Sequence, residues 1–172
     1  MSKFSLGTVA GLAGALALAA PVAAQGATLG PAAARCDANA AAVLVDVAGF
    51  KARTGTLRVQ IYAANSKTYL EKRQWLDRVD VPVAKTGPMR ICLPVDKPGS
   101  YVVSVRHDIN GNGKSDRSDG GGLSGNPDMK LSDFVFKRKP PLAATSVAVG
   151  SSTRRVPVTL NYVNGLSFDP VN

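Results

Sequence analysis

The sequence has few of the side chains on which most catalytic and metal sites depend. It contains one histidine, His107, one glutamate, Glu71, and two cysteines. These are too few nitrogen and sulfur ligands for a zinc site. No G-x-S-x-G nucleophile motif is present, and no pair of acids stands out as in a glycoside hydrolase. We therefore expect that this protein is not an enzyme. The weaker alternative is a hydrolase that uses His107 with Asp108 and the serines near it.

Aromatic residues and long apolar segments are also scarce. Aromatic residues make up 6% of the chain, and none is interleaved with the basic residues as a nucleic-acid stacking surface requires. We therefore expect no nucleic-acid partner. Beyond residue 24 no segment is long and apolar enough to span a membrane, so the remainder is not expected to be an integral membrane protein.

The N-terminal segment has the pattern of a secretory signal peptide. Residues 1–24 combine a short positive start, an uncharged stretch of small apolar residues and the small residues that precede a cleavage site. A transmembrane anchor is the competing interpretation. Removal of 1–24 predicts a periplasmic or secreted protein with a net charge of +8. We expect a flexible leader over 25–40, one domain over 41–165 and a tail over 166–172.

If the chain is exported, its basic residues and its two cysteines each support a further prediction. The positive charges are scattered, which predicts a solvated basic surface that could adhere to anionic polymers or lipids of the cell envelope. An even pair of cysteines outside the cytoplasm predicts a disulfide between Cys36 and Cys92. Two free, buried thiols are the alternative.

Apolar residues alternate with polar ones in most of the chain after residue 41. Leu57, Val59 and Ile61 are expected on one face of a strand, and Tyr101 and Val103 on one face of another. About seven or eight short strands with frequent turns predict an antiparallel β-sandwich with immunoglobulin-like or transthyretin-like layers. A closed barrel is the alternative.

Four segments receive more specific predictions. "RVDVPVAK" and "MRICLPV" are expected to form a hairpin around "TGP". "SDFVFK" is expected to be a strand, and "NSKTYLEKRQWLD" a short helical or irregular turn over the sheet edge.

The segment "DINGNGKSD" carries oxygen-bearing side chains at alternate positions. A calcium loop requires oxygen ligands at positions 1, 3, 5, 7, 9 and 12, and glycine at position 6. Gly113 falls at position 6 when the loop is counted from Asp108. The six ligand positions are then filled by Asp108, Asn110, Asn112, the Lys114 carbonyl, Asp116 and Asp119.

A plain turn explains the same residues equally well. Position 12 is aspartate, which reaches less far than the usual glutamate, and the flanks are not paired helices. Arg106 and Arg117 could neutralise the aspartates without a metal ion. The "NG" pairs are strong turn signals, and the aspartates would then cap backbone N–H groups. If calcium binds, we expect a dissociation constant on the order of 10⁻⁴ to 10⁻³ M.

The same residues resemble a known family. "PGSYVVSVRHDINGNGKSD" followed by "GLSGNP" is similar to the exported bacterial proteins of the DUF2141 family, over about residues 43–162. After Asp116 this chain departs from the family pattern. The resemblance implies an exported β-sandwich and no particular activity. The matching residues are Pro98, Gly99, Tyr101, His107, Asp108, Asn110, Asn112, Gly113, Gly122, Ser124 and Asn126.

We accordingly expect an exported binding or accessory module that has a weak calcium loop. The alternative is a basic structural protein that adheres to anionic envelope material.

Overall fold

The computed structural model describes residues 26–171, in which two β-sheets pack face to face. The predicted signal peptide, residues 1–24, lies outside the described residues. Three short helices accompany the sheets: α1 (Ala33–Asp37), α2 (Leu131–Val135) and α3 (Leu142–Thr145). The strands described are β1 (Thr28–Leu29), β2 (Ala42–Ala48), β3 (Thr56–Ala63), β4 (Asp77–Pro82), β5 (Met89–Pro94), β6 (Gly99–Asp108), β7 (Gly120–Leu123), β8 (Ser146–Val149), β9 (Arg154–Thr159), β10 (Asn161–Asn164) and β11 (Ser167–Pro170).

The strands divide into a smaller and a larger sheet. The smaller sheet has the order β1-β5-β2-β9, and the larger has the order β11-β10-β7-β6-β3-β4, with β8 also paired to β6. The pairs β1–β5 and β2–β9 are parallel, and the other pairs are antiparallel. The prediction of an all-β sandwich is confirmed. The short strands β1, β10 and β11 help to bring the count to eleven in residues 26–171, more than the seven or eight expected.

Alternating apolar residues fill the space between the sheets. Leu57, Val59 and Ile61 of β3 are fully buried, as the period of two predicted. Val103 of β6 belongs to the same core, and Val45 of β2 meets it from the smaller sheet. Every second side chain of a strand points to the same face. The inward side chains of β3 and β6 therefore form one side of the apolar layer, and those of β2 form the opposite side.

The predicted hairpin of β4 and β5 is wrong. In the structure β4 pairs with β3, where Val79 lies opposite Val59. In contrast, β5 pairs with β2, where Ile91 lies opposite Val45. The connection over 83–88 therefore crosses from one sheet to the other. An alternating pattern shows only that one face of a strand is buried. Two strands of one hairpin and two strands that face one core from opposite sheets have the same pattern, so the pattern does not identify the pairing partner.

The predicted strand "SDFVFK" is also wrong, because the structure has α2 there. Asp133 accepts a hydrogen bond from the Lys130 N–H (2.9 Å) and so caps the first turn of the helix. Phe134, Val135 and Phe136 are consecutive and all exposed, whereas a half-buried strand would alternate.

The two ends of the described chain contain more secondary structure than the sequence indicated. Where a flexible leader was expected, β1 pairs with β5 and α1 packs beside it. Where a tail was expected, β11 forms a hairpin with β10. Two residues of β1 and four of β11 are too few to give a clear period-two pattern.

The predicted disulfide is confirmed and joins α1 to the smaller sheet. Cys36 of α1 and Cys92 of β5 are bonded, with 6.0 Å between their Cα atoms. Both are buried with Ala42 and Leu44, on the face of the smaller sheet that points away from the main core. The disulfide therefore fixes the first described residues against the outside of the sandwich.

We predict that the Cys36→Ala, Cys92→Ala double variant loses about 4 kcal/mol of unfolding free energy, because the bond restricts a long loop of the unfolded chain. The separation of the cysteines is 56 residues. Urea denaturation of the oxidised protein, of the variant and of the chemically reduced wild type measures this. The reduced wild type should match the variant. Equal midpoints for the oxidised protein and the variant would contradict the prediction.

Candidate functional site

The candidate site is the loop over 109–119, which joins two neighbouring strands of the larger sheet. β6 ends at Asp108 and β7 begins at Gly120, and His107 lies opposite Gly120 in the register of the pair. The loop therefore projects from one end of the sandwich. It is held on its other side by Thr54, whose hydroxyl donates to the carbonyl of Ile109 (3.1 Å).

Three of the predicted ligands come together in this loop. One carboxylate oxygen of Asp116 accepts hydrogen bonds from the side-chain amides of Asn110 (2.8 Å) and Asn112 (2.7 Å). These two donors hold the pKa of the Asp116 carboxyl below its usual value. Asp116 is therefore ionised at neutral pH. In this arrangement the amide nitrogens face the carboxylate and the amide oxygens face away from it.

The amide oxygens of the two asparagines shape the turns. Oδ1 of Asn110 accepts from the N–H of Asn112 (3.1 Å), and Oδ1 of Asn112 accepts from the N–H of Lys114 (2.7 Å). Gly111 and Gly113 both have positive φ (67° and 78°), which glycine adopts without strain. The repeated Asn-Gly pairs thus build two successive Asx turns.

The other two aspartates bind backbone N–H groups of the same loop. Oδ2 of Asp108 accepts from Gly113 (2.8 Å). Asp119 accepts from Ile109 through Oδ1 (3.2 Å) and from Asp116 through Oδ2 (3.1 Å). The capping interactions that the plain-turn interpretation requires are therefore present.

One buried carboxylate oxygen at the base of the loop has no partner among the described residues. Asp108 is only 3% exposed, and its Oδ1 has no hydrogen-bond donor in the described part of the chain. Arg106 approaches Oδ2 (3.2 Å) and not Oδ1. An unpaired buried acceptor is costly, and more so when it carries charge. Oδ1 of Asp108 and Nε of its ion-pair partner Arg106 are therefore both buried polar atoms without a partner among the described residues.

The predicted calcium ligands are thus only partly assembled. Asn110, Asn112 and Asp116 converge, while both oxygens of Asp119 are used as caps. Within residues 26–171 no group of three histidine, cysteine or acidic side chains is arranged to hold a metal ion. The set Asp108, Asn110, Asn112, Lys114, Asp116 and Asp119 stays a prediction.

His107 lies next to the loop in a closed hydrogen-bond network. Its Nε2 lies 2.9 Å from the carbonyl of Thr54, which can only accept, so Nε2 carries the proton. Its Nδ1 then accepts from the hydroxyl of Tyr162 (2.6 Å), and that hydroxyl oxygen accepts from the N–H of Lys51 (3.2 Å). Burial is the main cause that raises the pKa of Tyr162, so its hydroxyl keeps its proton.

This network leaves His107 without the partners of a catalytic triad. Asp108 contacts Gly113 and Arg106 instead of the imidazole. Of the nearby serines, Ser115 accepts from Arg106, and the buried Ser124 donates to the carbonyl of Thr145 (2.5 Å). Both ring nitrogens of His107 are used to hold the end of the sandwich together.

Ser124 and the glycines of β7 are structural residues that the sequence analysis did not explain. Ser124 accepts from the N–H of Val103 (2.9 Å) and so closes the far end of the β6–β7 pair. A Cβ on Gly120 would lie 2.4 Å from the Tyr162 ring, and one on Gly122 would lie 2.6 Å from Val158. The run of three glycines in the sequence signals this close approach, although it does not name the residues that approach.

The fold and the site together define a class: a disulfide-linked, all-β sandwich protein with an Asx-turn loop at the end of a central strand. The chain belongs to the DUF2141 family, described as uncharacterized protein conserved in bacteria, whose family model matches residues 45–156. The match includes the whole candidate loop. No curated protein and no solved structure matches the chain. Among the described residues, no helix has the length and apolar character needed to cross a membrane.

We predict that Tyr162→Phe lowers the unfolding free energy by about 1–3 kcal/mol, because Nδ1 of His107 and the N–H of Lys51 lose their buried partner. Urea denaturation measures the change. Tyr101→Phe is the matched control, since its hydroxyl donates to the carbonyl of Lys97 in a partly buried position and should matter less. Equal losses in the two variants would contradict the special weight given to the His107 network.

Proposed function

We propose that this protein is a periplasmic or secreted, non-catalytic binding or accessory module whose 108–119 loop holds one calcium ion weakly. The observation that carries the proposal is the buried Oδ1 of Asp108, which has no donor among the described residues. Arg106 already neutralises the other oxygen, and a cation beside Oδ1 would supply the partner that this atom lacks. Calcium is the natural candidate because every other ligand offered by the loop is an oxygen.

The surrounding groups support a calcium ion with low affinity. Asp116 is ionised and solvent-accessible, and it would share the ion with Asp108. Rotation of the Asn110 and Asn112 amides would bring their oxygens to the ion, at the cost of the hydrogen bonds they now make. Asp119 would have to give up one cap, and Lys114 would contribute its carbonyl. These rearrangements oppose binding, which agrees with a dissociation constant on the order of 10⁻⁴ to 10⁻³ M.

Export is supported by the disulfide and by the predicted signal peptide. The Cys36–Cys92 bond needs an oxidising compartment to form and persist. Extracellular calcium modules with millimolar or slightly tighter affinity also suit such compartments. The ion would then have a structural role: it would order the loop at the end of the sandwich.

We predict that 10 mM calcium raises the melting temperature by about 3–10 °C relative to chelator, from the mass-action stabilisation of a ligand present at roughly 10–100 times its dissociation constant. Differential scanning calorimetry measures this. Asp116→Asn should abolish the response while changing the melting temperature in chelator little, because Asp116 is exposed. Asp108→Asn should abolish it as well.

Asp96→Asn is the matched control, because Asp96 is an exposed acid outside the loop. It should keep the full calcium response. Identical melting curves in calcium and chelator, or an equal response in the Asp96→Asn and Asp116→Asn variants, would refute the calcium site.

A second candidate function is adhesion to an anionic lipid surface, and a specific observation favours it. Val135 and Phe136 at the end of α2 are 69% and 68% exposed. Lys137, Arg138 and Lys139 follow them directly, and of these Arg138 and Lys139 also pair with Asp133 and Glu71. Exposed apolar residues beside a cluster of cations are typical of segments that insert shallowly into a negatively charged membrane. A purely polar polymer would use the cations and leave the apolar residues unexplained.

We predict that the protein sediments with vesicles that contain anionic lipid and not with zwitterionic vesicles, and that salt weakens the association. Phe136→Ser should weaken it by roughly tenfold or more, the effect of withdrawing an aromatic side chain from an apolar phase. Leu76→Ser, at a comparably exposed apolar residue far along the chain, is the control. Vesicle binding that changes neither with the lipid charge nor with the salt concentration would contradict membrane adhesion.

A further inference from the structure

A cavity of about 500 Å³ lies on the outer face of the larger sheet, underneath the segment that contains α2. Gly121 of β7 forms part of its floor. Phe134 of α2 and Phe168 of β11 stand against each other at its side, with 4.6 Å between their ring centroids. None of the candidate calcium ligands lines it. It adjoins a second pocket that shares Gly121, Phe134 and Phe168 with it and that Asp116 and Asp119 line. Its volume lies within the usual range of small-molecule pockets.

The cavity has a mixed lining, in which apolar residues are accompanied by Ser104, Asn126, Thr159 and Asn161 and by a group of charged residues. Leu123 and Met129 line it together with the two phenylalanines. At the mouth Arg138 is paired with Asp133 (2.9 Å), and Lys139 is paired with Glu71 (2.5 Å). Lys137 also lines the mouth and has no ion pair within the described chain. The mouth thus offers one uncompensated positive charge.

Gly121 keeps the floor of the cavity open although the fold does not demand a glycine there. A Cβ at this position would lie 3.7 Å from the nearest side-chain atom, Cζ of Phe168, which is an ordinary contact. Its backbone is not in the positive-φ region. Gly120 and Gly122 differ, because a Cβ on either would collide with the core. A side chain at 121 would therefore fit, and its effect would be to fill the cavity.

From these observations we propose that the cavity binds the hydrocarbon chain of an anionic amphiphile and places the charged head beside Lys137. Leu123, Met129 and the two phenylalanines suit a hydrocarbon chain, and the polar part of the lining is left to the head and to water. Lys137, which has no ion pair among the described residues, would attract a negatively charged head group. The proposal does not depend on calcium.

The chain could reach the cavity from solution or from a membrane. A free fatty acid would enter through the mouth. A lipid of the bilayer would enter if Val135 and Phe136, on the same segment, touch the surface. Both sources present the same chemistry, a chain with a negative head.

Titration calorimetry with saturated fatty acids of increasing length tests the binding mode. Affinity should rise about fourfold for each added methylene, and then level off when the cavity is full. The uncharged alcohol of equal length should bind more weakly. Lys137→Glu should weaken the acid and leave the alcohol nearly unchanged. No dependence on chain length would overturn the proposal.

Gly121→Leu tests the location. It should abolish binding by filling the floor, and Gly150→Leu is the matched control because a Cβ there meets no atom within 4 Å. Equal binding by the two variants would overturn the assignment to this cavity. If calorimetric melting shows that Gly121→Leu does not fold, the Lys137→Glu comparison between acid and alcohol decides, and equal effects on both would overturn it.

A last comparison distinguishes the two sources. Vesicles that contain a fluorescent anionic lipid are mixed with wild type and with the Val135→Ser, Phe136→Ser variant. If the membrane is the source, wild type removes lipid and the variant does not, while both bind free fatty acid equally. If neither protein removes lipid and both bind free fatty acid, the source is the solution. If neither protein binds in either format, the proposal is wrong.

Discussion

The end of β6 places two polar side chains, His107 and Asp108, in the interior, and the surrounding structure depends on how they are satisfied. Both ring nitrogens of His107 have partners, the hydroxyl of Tyr162 and the carbonyl of Thr54, and these bonds tie β6 to β10 and to the segment that precedes β3. Asp108 is satisfied only in part, because Gly113 and Arg106 both contact one of its oxygens. Burial of a carboxylate oxygen without a hydrogen-bond partner lowers the stability of the fold. We propose that a bound cation would remove this penalty and that the loop owes its affinity for the cation to this gain.

The glycines of β7 leave space on both faces of the larger sheet. Tyr162 can reach His107 because Gly120 leaves room for its ring on the inner face. On the outer face, Gly121 leaves space beneath α2 and creates the cavity. Three consecutive glycines at the start of β7 thus leave room for the buried network on one side and for the proposed amphiphile site on the other. The two proposed sites are neighbours in sequence, yet no calcium ligand lines the cavity.

Much of the fold could be predicted from the sequence, because burial leaves a periodic pattern. The inward faces of β3 and β6 and the Cys36–Cys92 pairing follow from alternation and from cysteine number. Strand partners could not be predicted: β4 and β5 bury the same kind of face from opposite sheets. The spacing of the loop predicted a calcium ligand set that stays a prediction, although the side chains of Asn110, Asn112 and Asp116 do contact one another. It could not show which amide atom faces Asp116, since rotation of the amide leaves the sequence pattern unchanged.

The central claim is that Oδ1 of Asp108 is a cation ligand, and crystallography with an anomalously scattering lanthanide in place of calcium tests it most directly. The account predicts a peak in the anomalous map within bonding distance of this oxygen and of the Asp116 carboxylate. Loop density without such a peak, with the Asn110 and Asn112 amides still bonded to Asp116 at saturating lanthanide, would contradict it. The loop would then be a capped turn, and the buried oxygen would need another explanation.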